Sequence, residues 1–370
     1  KEFGKISHVV GRVDWDWPGT TIMPPTYLSN DKAVKQHHFE RRMVDGDRQQ
    51  IVVVDSIQSC ANRTETALIK AKRRGIIDMP SIEFISESMG TSSSFELSHR
   101  IFSYEIRCAL TEKGGNQRFS DTKEGKIIFG RNPSLYMEEI AKHCASSVLF
   151  GTWNSRNNVP GPSVNMARIS RSFHNEIIAG VGEETCRSQS MIHRFNFETA
   201  VGVWHKETDL RDRVHEEPKA KKGWIKAKPA DLGAASIPPT LIKHGVSPTW
   251  IREDVWIDFN CLRKFDTNDP QKDQQYRTMA ALLGLLGHRM KCHDAHLRSG
   301  CTLIPKNEEV VTYQFLPSKE EFAVTVDDAI ELYKKSLDAM DWYDASKTTN
   351  VYADEAFESQ VEKHNEKVFT

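Results

Sequence analysis

The sequence has no long apolar run. Its longest apolar segments, such as Ala280 to Leu286, fall far short of the roughly 20 residues that a membrane span requires. No Gly/Ser or Pro-rich stretch is long enough to read as a flexible linker, so the 370 residues are expected to form one domain with large insertions. Cysteine is sparse and odd in number: Cys60, Cys108, Cys144, Cys186, Cys261, Cys292 and Cys301 lie far apart, which argues against a disulfide framework and for a reducing cytoplasm. The first residues, Lys1 to Lys5, carry neither an initiator Met nor an apolar signal core, and read as a trimmed start without export. No nucleophile elbow, P-loop, HExxH or kinase signature occurs, so an enzymatic reading has to rest on scattered groups.

Net positive charge is also missing. At -1 overall, the chain is no uniformly basic nucleic-acid binder, and phosphate contacts would need local positive charge. Such a concentration exists in the run Lys219 to Lys228, whereas the tail after Lys319 has more than twice as many acidic as basic residues. A basic face with an acidic terminal element and two solvated faces fit this distribution equally well.

Ile51 to Val54 is a β-branched run and predicts a buried strand that ends in the polar loop Asp55 to Ser59. A helix is expected over 62–74, with Ala67, Leu68 and Ala71 at helical spacing, cations in its last turn and Gly75 beyond. A second helix is expected over 99–110, a third after Pro133, and a second buried strand at Val148 to Phe150 that exits into Gly151 to Ser155. Residues 205–250 hold five prolines and little apolar periodicity, which predicts an extended basic insertion, a candidate thumb or finger element. A strand at Val255 to Phe259, an apolar helix over 279–290 and an amphipathic helix over 326–340 follow, the last within an acidic C-terminal element over 319–370. The absence of regular βα alternation favours an α+β fold.

Four segments, in order, resemble one known family. They are Val54 to Glu65; Ser98 to Ile101; Leu149 to Ser155 continuing to Ala167-Arg168; and Lys228 to Gly233 with Ile237-Pro238-Pro239 and His244 to Val246. Together they are similar to the backbone subunit of type I-G (formerly I-U) Cascade complexes, of the Cas-seven family, Csb-type, within the RAMP superfamily of CRISPR proteins. The resemblance spans roughly residues 20–305, with Thr64 where that pattern has Leu, Asn165-Met166 in place of a more basic or aromatic approach to Arg168, and a varied ending around Arg298. It implies an RRM-like (ferredoxin-like) palm with large insertions forming finger and thumb elements, and a non-catalytic subunit that polymerises along guide RNA. Sequence reading of a target then falls to base pairing, while the protein holds backbone and shape.

The candidate RNA-binding residues carry matching chemistry. Ser56, Gln58, Ser59, Asn62 and Arg63 offer hydroxyl, amide and guanidinium donors where a strand gives way to a helix, which suits a phosphate or ribose; an ordinary helix start, capped by Ser59 or Asn62, has the same pattern. His99 and Arg100 suit stacking and phosphate contact, and equally a helix N-terminus. Trp153 with Ser155 offers a stacking surface or, alternatively, core packing; Arg168 and Arg171 converge if their segment is helical and diverge on a strand. Lys219, Lys221, Lys222, Trp224, Lys226 and Lys228 interleave cations with an indole, the mixture expected of a single-strand contact surface. Arg298 completes the set.

Cys292, His293, His296 and Cys301 have donors that suit zinc, but no CxxC or paired spacing, so they read as buried cysteines; no metal and no cofactor are expected. The expected partners are guide RNA, target DNA through the guide, further copies of the chain, other Cascade subunits and a recruited helicase-nuclease, with no membrane. The rival reading is a metal-dependent RNA endonuclease using Asp55 with Asp14 or Asp16.

Overall fold

Alternation of apolar and polar residues along two long strands sets the architecture. In β1 (His8–Asp16) Val9, Val13 and Trp15 point to one face and are buried. In β5 (Val246–Asp258) Ile251, Val255 and Ile257 share that face, while Arg252, Asp254, Trp256 and Asp258 look outward. The other elements that build the palm are β2 (Phe39–Val44), β3 (Asp47–Asp55), α1 (Ile57–Arg73), β4 (Phe173–Glu184), α2 (Pro270–Lys291), β6 (Val311–Leu316), β7 (Glu321–Val324) and α3 (Val326–Asp338). The computed structural model describes residues 3–28, 35–129, 133–154, 168–191, 203–206, 222–227, 237–242, 245–293 and 295–369.

The strands form one antiparallel sheet in the order β7-β6-β1-β5-β4-β3-β2, with Ile304–Pro305 as an added short strand beside β1. Within it, β1-α1-β4-β5-α2-β6 follow the βαββαβ succession of the RRM-like fold, and the central order β6-β1-β5-β4 is that fold's fourth, first, third and second strand. The α+β, RRM-like architecture with insertions is therefore as the sequence implied. The hairpin β2–β3 is spliced between β1 and α1 and widens the sheet beyond β4.

Helices α1 and α2 cover the inward face. Cys60, Leu68 and Ile69 of α1 and Met279, Leu283 and Leu286 of α2 are all buried, each large side chain contributing about 1.5–3 kcal/mol by leaving water. The two helices approach closely because Gly287 lacks a side chain: a Cβ there would lie 2.7 Å from Thr64 Cγ2. Thr64, placed where the resembled pattern has Leu, is fully buried and donates its hydroxyl to the Cys60 carbonyl.

Local starts and stops differ from the sequence expectation at several points; the helix expected over 99–110 is a 3-10 turn, Arg100–Phe102, and a short helix, Tyr104–Cys108, separated by the extended Ser103 that caps the second. Helix α1 begins at Ile57 rather than at residue 62, because Ser56 is its cap and accepts from the Ser59 amide; Gln58 and Ser59 are thereby its first turn, not a loop. Val148 to Phe150 is not a strand: Ala145–Leu149 is a short buried helix, a case in which a short apolar run cannot be assigned by pattern alone.

The long insertion over 74–172 contains the helices Tyr104–Cys108, Lys123–Ile128 and Pro133–His143 and a strand, Ser81–Ser86, paired antiparallel with Gly90–Ser93. Thr348–Tyr352, from the acidic C-terminal element, adds to Ser81–Ser86 in parallel. Residues 205–250, read as an extended excursion, are in part a β ribbon: Arg187–Met191 pairs with Ile237–Ile242, Val203–Lys206 pairs with Trp224–Ala227, and residues 246–250 already belong to β5. Among the described residues no helix is long and apolar enough to cross a membrane.

Candidate nucleic-acid interface

At the end of the sheet where β3 passes into α1, a cleft of about 710 Å³ gathers residues that are far apart in the chain, from Ile57 to Cys261. Gln58 comes from the first turn of α1, His99 and Arg100 from the insertion, Trp153 from the strand Thr152–Trp153, and Arg168 and Arg171 from the segment leading into β4. His174 of β4, Asp258 at the end of β5 and Cys261 of the short helix Phe259–Leu262 add a wall.

The floor is fixed by Arg100. Its backbone takes a positive φ of 50°, its side chain is buried, and its guanidinium meets Glu65 through two bonds of 2.7 Å. A third bond of 2.8 Å goes to the Gly151 carbonyl. Burial raises the Glu65 carboxyl above its ordinary value although Arg100 pulls the other way. Gly151 itself is at φ 76°, and a Cβ there would lie 2.8 Å from the Arg171 amide, so only glycine permits the chain to pass. Arg100 thus holds the two halves of the cleft together, while the groups at its mouth are others.

Those groups are aromatic and cationic. The His99 ring and the Trp153 indole meet edge to face, 6.4 Å between centroids, and Trp153 is 44% exposed. Thr152 pins this corner by donating to the His99 carbonyl at 2.7 Å. Arg168 is exposed on a two-residue strand paired with Trp153, which places cation and indole side by side. Arg171 donates through Nε to the Phe150 carbonyl; burial, the neighbouring Arg100 and only partial compensation from Glu65 lower its ordinary value. The Arg168 and Arg171 segment is strand and extended chain rather than helix, yet both line the cleft.

The sequence did not single out His174. It stacks on Trp256 of the adjacent strand at 4.9 Å with the rings 1° apart, and burial lowers its ordinary value, favouring the neutral ring. Period-two alternation puts both on the outward face of the sheet, and only the β4–β5 register makes them neighbours.

The remaining candidates divide. Ser59 and Asn62 lie on α1, half-buried and exposed, and Ser56 caps it. Arg63 and Arg298 both turn toward Asp55: Arg63 Nε is 3.0 Å from Oδ2 and Arg298 is 3.7 Å from Oδ1. Asp55 is fully buried, so the carboxylate named in the endonuclease reading is occupied by two guanidinium groups. Asp14 and Asp16 stand on β1, the latter 3.6 Å from Lys306. In the basic run, Lys222 is exposed, Trp224 is half-buried and Lys226 is paired in register with Trp204; Ser155, Lys219, Lys221 and Lys228 lie outside the described residues.

Of the zinc-suited residues, Cys292 is joined not by its sequence neighbours but by His288 and Glu253, all buried. Lys291 Nζ is 2.6 Å from Glu253 Oε1 and His288 Nδ1 is 2.7 Å from the Tyr313 hydroxyl, so an ammonium already neutralises the carboxylate. This is a buried polar network that ties β5 to α2.

The fold and the cleft define an RRM-like protein with an aromatic and cationic groove at one end of its sheet. Residues 16–182 match the family described as CRISPR-associated protein GSU0053 (Cas_GSU0053), and that span contains Gln58, His99, Arg100, Trp153, Arg168, Arg171 and His174. Among solved structures, a chain of one titled "CRISPR RNA-guided surveillance complex, pre-nicking" is similar at 10% identity and a TM-score of 0.31, covering 97% of this chain and 100% of that one. No curated protein matches.

Proposed function

We propose that the protein is a guide-RNA-binding subunit of a CRISPR effector complex, of the type I-G Cascade backbone kind, which acts by holding RNA rather than by cutting it. The observation that carries this reading is the convergence of Gln58, His99, Trp153, Arg168 and Arg171 on one cleft from four separate chain segments. An indole beside two guanidinium groups supplies what an unpaired strand requires: a face for a base and charge for the phosphates on either side. Support for the CRISPR setting comes from the family match over residues 16–182. Several copies along one guide, a target strand paired to that guide, further Cascade subunits and a helicase-nuclease belong to the same reading.

Co-expression with a CRISPR array tests it. Purified protein is expected to carry RNA of uniform guide length, several copies per RNA by native mass measurement, and to bind more weakly as salt rises. Monomeric protein free of RNA despite the array, or site-specific Mg²⁺-dependent RNA products, would overturn it.

A further inference from the structure

On another side of α1 lies a second, more enclosed cavity of about 560 Å³, between α1, the C-terminal end of α2 and the N-terminal end of α3. Ala67, at its centre on α1, is nine residues from Gln58 and so about half a helical turn away from the cleft-facing side. Lys70, Arg74, His293 and His296 ring the cavity, and no carboxylate is among its described lining residues. The floor is apolar, from Ala67, Met290 and Ile330.

Arg74 and His293 are exposed, and His296 uses Nδ1 on the Thr302 hydroxyl at 2.9 Å, leaving Nε2 available. Two cations of the wall are already committed, Arg63 to Asp55 and Lys291 to Glu253, and they add field rather than contacts. The size falls in the range of small-molecule sites and is too short for a docked helix. Cations of one sign around an apolar floor suit an anion attached to a nonpolar or planar body.

The geometry points to a site for a phosphate monoester, separate from the RNA cleft. Its source is either a free nucleoside monophosphate or the phosphorylated end of a nucleic-acid strand. In both, Arg74 and the imidazole N–H groups hold the phosphate oxygens, and the apolar floor takes the base or sugar.

RNA-free protein is titrated with inorganic phosphate, AMP, and a short oligonucleotide with either a 5′-phosphate or a 5′-hydroxyl, against chloride at equal ionic strength, following binding by calorimetry. AMP is expected to bind at least about fivefold more tightly than inorganic phosphate. Both R74E and H293A are expected to weaken AMP at least about tenfold, while the exposed position of these residues leaves the fold and guide-RNA binding unchanged. If the 5′-phosphorylated oligonucleotide is also preferred over its hydroxyl form and this preference is lost in R74E, the site accepts strand ends; if only AMP binds, it is a nucleotide site. Binding of AMP no stronger than chloride, or binding retained in R74E and H293A, overturns the proposal. Because Arg74 and His293 line this cavity and not the cleft, W153A serves as the cleft control and is expected to leave AMP binding unchanged; AMP binding lost in W153A but retained in R74E would place the nucleotide in the cleft and overturn the proposal.

Discussion

Arg100 and Glu65 form a buried, two-bonded ion pair, 2.7 Å at each contact, that joins helix α1 to the insertion carrying His99. The pair binds the cleft together from beneath. Replacing Arg100 with Ala leaves Glu65 buried without its cation, and the carboxyl then takes up a proton. R100A is expected to lose about 3–5 kcal/mol of stability, read from a shift of the urea midpoint, and E65A about as much. A loss under 1 kcal/mol in both would mean that the pair does not anchor the cleft.

Trp153 is exposed, so its removal tests the cleft without the fold. W153A is expected to keep the wild-type melting temperature and to weaken single-stranded RNA by about 1–3 kcal/mol at fixed salt, as loss of one stacked base does. Unchanged affinity would remove the indole from the interface.

Arg168 should act through charge alone. R168A is expected to weaken all RNA sequences alike and to lower the slope of log affinity against log salt by about 0.7, the value for one phosphate on a single strand. A sequence-dependent loss with an unchanged slope would point to a base contact.

Acid should unfold the protein partly through Glu253. Burial alone would raise this carboxyl, but Lys291 and His288 outweigh it and hold it well below the usual carboxylate range. A carboxyl depressed by folding stabilises the native state above its unfolded value, near 4.5, and this contribution fades as pH falls below it. E253Q should therefore lose about 3–5 kcal/mol at neutral pH, because Lys291 is left buried and unpaired, and should show a shallower loss of stability between about pH 5 and pH 3 than the parent protein. Parallel pH profiles would contradict this assignment.

Much of the palm was legible in the sequence because its signals are local. Ile51 to Val54 shows a strand by its β-branched run, and α2 shows a helix by its apolar length, although its true start at Pro270 is marked by the Asp269 cap rather than by apolar residues. The beginning of α1 was misplaced because Ser56, Ser59 and Asn62 are all competent caps, and only the backbone at Ser56 decides among them. At the site, Gln58, His99, Trp153, Arg168 and Arg171 were readable as polar or aromatic residues at element ends. That Arg100 turns inward depends on Glu65, 35 residues earlier, and that His174 meets Trp256 depends on strand register; neither relation leaves a trace in local pattern.

The parallel pairing of Thr348–Tyr352 with Ser81–Ser86 has a consequence for biosynthesis. The chain emerges from the ribosome N-terminus first. The small sheet within the insertion that carries His99 thus waits for a strand made more than 250 residues later, and Leu110 also waits for its backbone partner, Tyr352. A nascent chain that has already exposed Trp153 and Arg168 still lacks this support. Completion of this sheet is thereby deferred until residue 352 has been made, so the packing beneath His99 is finished by a segment far downstream of the cleft it supports.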